Sequence, residues 1–238
     1  MLNKDTQLCI SVSSRPSDLG TTLHNAAYAA LGLNFVYKAF GISDIAGAMA
    51  GVRALGIRGC SVSMPFKEAV IPHLDALDAA AEAIGAVNTV VNEAGRLTGY
   101  NTDVIGARAA LDSLRADSGE SVLLLGAGGA ARAIVFALRE RGFSRVRVAN
   151  RDQAKIQRLS ALLPCQPVPW AQRQQEPASL VINATSIGMS PDAQSMPLDE
   201  AFIRASRAVM DVVISPMETR LIGCARAAGK AVAPGYVM

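Results

Sequence analysis

The chain has 238 residues, half of them apolar and 18% charged. That is enough for one large domain or two modest ones, and it excludes intrinsic disorder and the small stapled scaffolds. Its 23 Lys and Arg against 20 Asp and Glu leave a net charge of +3 scattered along the chain, so there is no electrostatic footprint for nucleic acid and a small polar molecule is the expected partner.

Cys9, Cys60, Cys165 and Cys224 lie far apart with no CxxC pair. Neither a zinc spacing nor a compact disulfide framework is readable, and buried, reduced thiols without a metal are expected. The N-terminal segment lacks the uninterrupted apolar stretch of a signal peptide, and no run approaches the ~18 apolar residues of a membrane helix. The expected compartment is the cytoplasm, with no membrane partner.

From the N-terminus, apolar runs of strand length alternate with Ala- and Leu-rich stretches at helical spacing: strands at 8–12, 35–39 and 59–62, helices at 21–31 and 44–55. That alternation predicts an α/β fold. Helical stretches are expected after Pro65 as far as Ile84, then a strand at 86–91, a turn at 93–96 and a returning strand at 97–101. A helix at 102–114 and a polar hinge at 115–120 lead into a second series, with strands at 121–125, 145–149, 180–183, 209–213 and 231–233 and helices between them. The expected division is 1–101 for an N-terminal α/β domain and 102–238 for a Rossmann-like domain.

The run from Ser121 through Val-Leu-Leu-Leu to Gly126, Ala127, Gly128, Gly129, Ala130 and Ala131 is a buried strand, a glycine turn and a helix start, and it fits G-x-G-x-x-A. Gly126 permits the tight turn, Gly128 lets the backbone approach a pyrophosphate, and the helix opening offers that anion unpaired N–H groups and the helix dipole. An ordinary tight turn or a nucleotide site of another type is the competing reading. The next strand runs into Asn150 and Arg151, where an acid would hold the ribose hydroxyls of NAD; Arg151, with Lys155 one turn further, offers cations to a 2′-phosphate instead. NADP is the cofactor predicted, against the alternative of two solvated charges at a helix start.

In the first domain, Ser63-Met-Pro-Phe-Lys67 places an amine just after a strand and a Pro turn, and Asn88-Thr89 and Asn101-Thr102-Asp103 add a polar set suited to holding hydroxyls. Oxidation of a secondary alcohol needs a group that takes the hydroxyl proton and returns it in reverse. Lys67 and Asp103 can supply that dyad; a solvated lysine and a helix N-cap are the alternatives.

These motifs, in this order along nearly the whole chain, resemble the shikimate dehydrogenases. Ser63 to Lys67 resembles the family's T-x-P-x-K, Asn88-Thr89 its A-x-N-T, Asn101 to Asp103 its N-T-D, and Asn183-Ala184-Thr185-Ser186-Ile187-Gly188-Met189 its N-A-T-x-x-G-M loop beside the nicotinamide. The resemblance implies two α/β domains with the active site in the cleft between them. It implies interconversion of shikimate and 3-dehydroshikimate with NADP(H), a step toward chorismate and the aromatic amino acids, by a monomer or homodimer. It assigns catalysis to Lys67 and Asp103 and substrate binding to Ser63, Asn88 and Asn101. Cofactor contacts fall on Gly126 to Ala130, Asn150, Arg151, Lys155, Asn183, Ala184, Thr185 and Met189.

The departures gather at the substrate's carboxylate. The family's first loop uses two serines there, whereas this loop, Ser14 to Asn25, is two residues shorter and puts Gly20 in place of the second. Ser17, Thr21 and Thr22 are the hydroxyls left to substitute, and Asp18 would repel an anion facing it. The family's D-x-x-Y-x-P tyrosine is Ile214 in this chain, and the segment after Gly235 to Met238, which in the family carries a glutamine and paired return helices, does not appear. A chain truly ending there is expected to have a less closed, weakly active site. Together the changes resemble the divergent shikimate dehydrogenase-like subgroup, with low activity on shikimate. A related quinate- or amino-polyol-type substrate and an NADP(H)-binding sensor are the alternatives.

Overall fold

The computed structural model describes residues 2–238. They form two compact units, one running to Thr102 and the other spanning Asp103–Met238.

The first unit contains β1 (Gln7–Ser13), α1 (Asp18–Ala30), β2 (Phe35–Gly41), α2 (Ile45–Ala54), β3 (Gly59–Val62), β4 (Ala76–Leu77), α3 (Ala79–Ile84), β5 (Thr89–Glu93) and β6 (Arg96–Tyr100). Its six strands are ordered β2-β1-β3-β5-β6-β4. β1 is parallel to both neighbours, whereas β5 is antiparallel to β3 and β6. Alternate residues of β1, Ile10 and Val12, turn inward to meet Met49 and Val52, one turn apart on α2, and Cys60 and Val62 of β3. Asp44 and Asp78 start α2 and α3 by accepting the amides of Gly47 and Ala81, at 3.0 and 2.9 Å.

The helix expected from Pro65 to Ile84 is largely absent. Turns and one 3-10 turn, Ile71–His73, lead to β4, and only Ala79–Ile84 is α-helical. Pro65 and Pro72 supply no amide hydrogen to a helix. Strand-type bonds to β6 compete for the rest: Asp75 N donates to Leu97 O at 2.9 Å, Asp78 N to Gly99 O at 2.9 Å, and the Asp75 carboxylate accepts Leu97 N at 2.6 Å.

The second unit contains α4 (Asp103–Ser113), β7 (Val122–Leu125), α5 (Gly129–Glu140), β8 (Val146–Asn150), α6 (Gln153–Leu162), β9 (Gln166–Pro169), β10 (Leu180–Asn183), α7 (Glu200–Ala205), β11 (Ala208–Asp211), α8 (Arg220–Ala227) and β12 (Ala231–Ala233). Its sheet is wholly parallel, ordered β12-β11-β10-β7-β8-β9. All of β7 is buried, because helices cover both faces, and so its sequence reads as an unbroken apolar run. The order reverses between β7 and β10, the position where open parallel sheets bind ligands beyond their carboxyl ends. β9 was not anticipated: Gln-Pro-Val-Pro is a solvent-facing edge strand, where proline is tolerated but carries little strand signal.

All four cysteines are free, but only Cys60 is buried; Cys9, Cys165 and Cys224 are half-buried. Among the described residues no helix is long and apolar enough to cross a membrane.

Candidate active site

In the first unit the chain gathers polar side chains where β3 and β5 meet the end of β6. Val62 N donates to Asn88 O at 2.7 Å, Val87 N to Lys67 O at 2.8 Å and Asn88 N to Tyr100 O at 3.0 Å, so the backbones carrying Ser63, Lys67, Asn88 and Asn101 are tied together. The Asn88 side-chain Oδ1 accepts Thr89 Oγ1 at 3.0 Å and Thr102 N at 2.9 Å, and its Nδ2 donates to Thr102 Oγ1 at 3.0 Å. This clamp fixes the turn into α4, whose first residue is Asp103. Asn101 is buried with Nδ2 on Ala86 O at 2.9 Å, whereas Ser63 is exposed and Lys67 and Asp103 are half-buried.

The shortened first loop ends at Ser17, the N-cap residue of α1, whose hydroxyl makes no capping bond. Thr22 lies five residues on, about 140° round the helix at 3.6 residues per turn, so Thr21 rather than Thr22 shares the face of Ser17. Tyr37 of β2 belongs to none of the sequence motifs. The residue is 5% exposed, and its ring stacks on His24 with centroids 4.3 Å apart. A Cβ on Gly20 would meet the Tyr37 hydroxyl at 3.6 Å. Only its alternate-residue position on β2 marked Tyr37 in advance, and that says no more than inward-facing.

In the second unit the glycine turn is anchored on both sides: Gly126 N donates to Ala149 O and Ala184 N to Leu125 O, each at 2.8 Å. Gly126 has φ +111°, and a Cβ there would lie 2.6 Å from Ala184 O, so the protein's own backbone demands this glycine. Gly128 differs. It is the N-cap of α5 with φ −86°, and a Cβ there would meet nothing within 4 Å. No neighbour within the protein requires its bareness. It keeps space open over the unpaired first-turn amides of α5, as an approaching anion needs.

At the end of β8, Asn150 Nδ2 donates to Asp152 O at 3.0 Å. Asp152, the acid nearest that strand end in sequence, caps α6 by accepting Lys155 N at 3.2 Å. The side chains of Arg151 and Lys155 stay exposed.

On the other side of the turn, Asn183 of β10 lies in register between Leu125 of β7 and Asp211 of β11. It is 0% exposed. Its Nδ2 donates to Asp211 Oδ1 at 3.0 Å and Ile187 O at 3.1 Å, and its oxygen accepts Thr185 Oγ1 at 2.6 Å. Both amide hydrogens are used within the protein, so Asn183 shapes the loop, and Ala184, Thr185 and Met189 are what the loop can present to a ligand.

Asp211 also accepts Thr219 Oγ1 at 2.7 Å and Val213 N at 3.0 Å. Burial pushes its carboxyl up from 3.8 to about 6 against these bonds. The folded form thus favours the proton: the contribution to stability is full below pH 3.8 and lost as pH rises through about 6. Between pH 7 and 5 the wild type should therefore gain about 1 kcal/mol relative to Asp211→Asn. Parallel melting curves of the two proteins across that range would contradict this.

Residues 17–90 match the family model for the shikimate dehydrogenase substrate binding domain, and residues 108–188 that for shikimate/quinate 5-dehydrogenase. The chain belongs to the shikimate dehydrogenase family. It is 46% identical over 232 residues to the shikimate dehydrogenase-like protein of Haemophilus influenzae, covering 97% of this chain and 85% of that one. It is 43% identical to the shikimate dehydrogenase (NADP(+)) of Moorella thermoacetica, covering 92% and 79%. A solved shikimate 5-dehydrogenase-like protein superposes with a TM-score of 0.91 at 43% identity, over all of this chain and 88% of the other. This shikimate dehydrogenase family member thus shares both its α/β units with enzymes that act on a CH–OH group.

Proposed function

We propose that the protein is an NADP-dependent dehydrogenase that interconverts shikimate, or a closely related cyclic polyol acid, and its 3-dehydro ketone, and that it uses shikimate itself poorly. The observation that carries this reading is the pairing of an open, side-chain-free N-terminus on α5 with exposed Arg151 and Lys155 beyond β8, while Asp152 is committed to capping. These residues fit a dinucleotide with a 2′-phosphate.

NADP, when bound, supplies the acceptor or donor of hydride. The amides of Ala127 to Ala130 would hold its pyrophosphate, with Gly126 shaping the turn, Arg151 and Lys155 would hold its 2′-phosphate, and Ala184, Thr185 and Met189 would flank the nicotinamide. Lys67 takes the proton from the reacting hydroxyl and returns it in reverse, and Asp103 orients that amine and the hydroxyl. Asn88 holds the segment that delivers Asp103, while Ser63, Ser17 and Thr21 offer hydroxyls to the substrate.

Weak use of shikimate follows from the carboxylate end, where Gly20 has no hydroxyl and Ile214, 47% exposed, cannot form the hydrogen bond of a tyrosine. Asp18 in the first turn of α1 favours a second reading, a substrate that carries an amine there, of the amino-polyol type. NADPH formation by the full chain with shikimate, quinate and amino-polyols tests both. Gly20→Ser should be tolerated, since its Cβ meets Tyr37 at an ordinary 3.5 Å. Restoring one hydroxyl should lower the KM for shikimate about three- to tenfold. Diffusion-limited turnover of shikimate by the wild type would contradict the weak-use reading. Turnover of nothing, with NADP still bound, would leave the sensor.

A further inference from the structure

At the amino-terminal edge of the second unit's sheet, opposite the glycine turn, a cavity of about 760 Å³ opens among Arg139 of α5, Arg145, Arg147 of β8, Cys165 and Glu176. Three guanidiniums against one carboxylate leave a formal charge of +2 there, in a chain whose whole net charge is +3.

The arginines are fixed mainly by carbonyls, which orient a guanidinium without neutralising it. Arg147, whose side chain is 8% exposed, donates to Glu176 O at 3.0 Å and Pro177 O at 2.6 Å, and its carboxylate partner Glu176 is 71% exposed. Arg139 donates to Phe143 O at 2.8 Å and to Pro164 O, and Arg145 donates to Gly119 O. Neither Arg139 nor Arg145 has a carboxylate partner among the described residues, in contrast to Arg108 and Arg207, which pair with Glu140 and Glu120. Burial pushes the Cys165 thiol up, so the thiol adds no negative charge at neutral pH.

Like charges held around one cavity repel, and a bound anion relieves that repulsion. The volume is that of a small-molecule site rather than of a bare ion. We propose that this cavity binds a phosphate group carried as a monoester on a small metabolite, separately from the dinucleotide site.

The test uses the full chain carrying Arg151→Ala, which removes the principal competing phosphate contact, titrated at constant ionic strength with glycerol phosphate and with inorganic phosphate. Calorimetry should show saturable binding of glycerol phosphate. Adding Arg145→Gln should weaken it about tenfold or more, with Arg139→Gln as a second variant because Arg139 also braces two carbonyls. Comparing melting shifts between the backgrounds cancels the general salting effect of phosphate. Tighter binding of inorganic phosphate than of the monoester would overturn the choice of a monoester. No saturable binding, or binding that Arg145→Gln and Arg139→Gln leave intact, would overturn the site.

Discussion

Lys67→Ala should lower turnover by about 10²–10⁴-fold, the usual contribution of a positioned proton-transfer group, and leave affinity for NADPH nearly unchanged. The separation is expected because the residues that fit the cofactor, Gly126 to Ala130 and Arg151, all belong to the second unit, whereas the Lys67 backbone is tied to Val87 in the first. Of the two histidines, the side chains that most often share such proton transfer, His24 is stacked on Tyr37 and His73 ends a 3-10 turn, so neither is a ready substitute. Asp103→Asn keeps the shape of the side chain but removes the charge that the proposed mechanism uses to orient the amine, and its defect should also fall on turnover rather than on cofactor affinity. Steady-state rates with the best substrate, together with NADPH titration, check both variants. A Lys67→Ala enzyme working at the wild-type rate would end the assignment.

The two glycines of the dinucleotide turn should fail in opposite ways. Gly126→Ala forces a side chain into φ +111° and 2.6 Å from Ala184 O. The clash is with backbone, so the fold itself should lose roughly 2 kcal/mol or more. Gly128→Ala meets no protein atom within 4 Å at φ −86°, and its unfolding free energy should stay within about 0.5 kcal/mol of wild type. Yet in the proposed cofactor site that methyl would block the pyrophosphate's approach to the α5 amides, so NADP affinity should fall about ten- to a hundredfold, the equivalent of one charged hydrogen bond. Thermal melts and cofactor titrations of both variants separate the roles. Gly128→Ala binding NADP as the wild type does would mean that the open helix terminus is not the pyrophosphate site.

What could be read in advance was what local chemistry dictates. The strands at 59–62, 180–183 and 231–233 appear with their expected bounds, because continuous apolar runs flanked by turn residues admit few other solutions. The glycine turn was legible for a similar reason, since a left-handed position and a bare helix N-terminus both leave glycine in the sequence.

Long-range effects were hidden. β4 exists through its pairing with β6 and through Asp75, and β9 survives as a proline-bearing edge. The bond from Asn183 to Asp211 joins residues 28 apart, and no spacing rule identifies Asn183 as a brace for its loop rather than a ligand contact. Tyr37 gives no motif signal, because its interest arises only from where α1 sets Gly20. The arginine cavity is drawn from α5, β8 and the segment before β10, and scattered arginines in a sequence read as ordinary solvated charge.

Side-by-side titration of NADP and NAD into the wild type and Arg151→Ala tests NADP-dependent dehydrogenation most directly. Two charged hydrogen bonds to the 2′-phosphate, at about 1.5–3 kcal/mol each, imply at least tenfold tighter binding of NADP to the wild type. Arg151→Ala should remove most of that preference and leave NAD affinity unchanged. Equal affinities for the two cofactors in the wild type would contradict the claim.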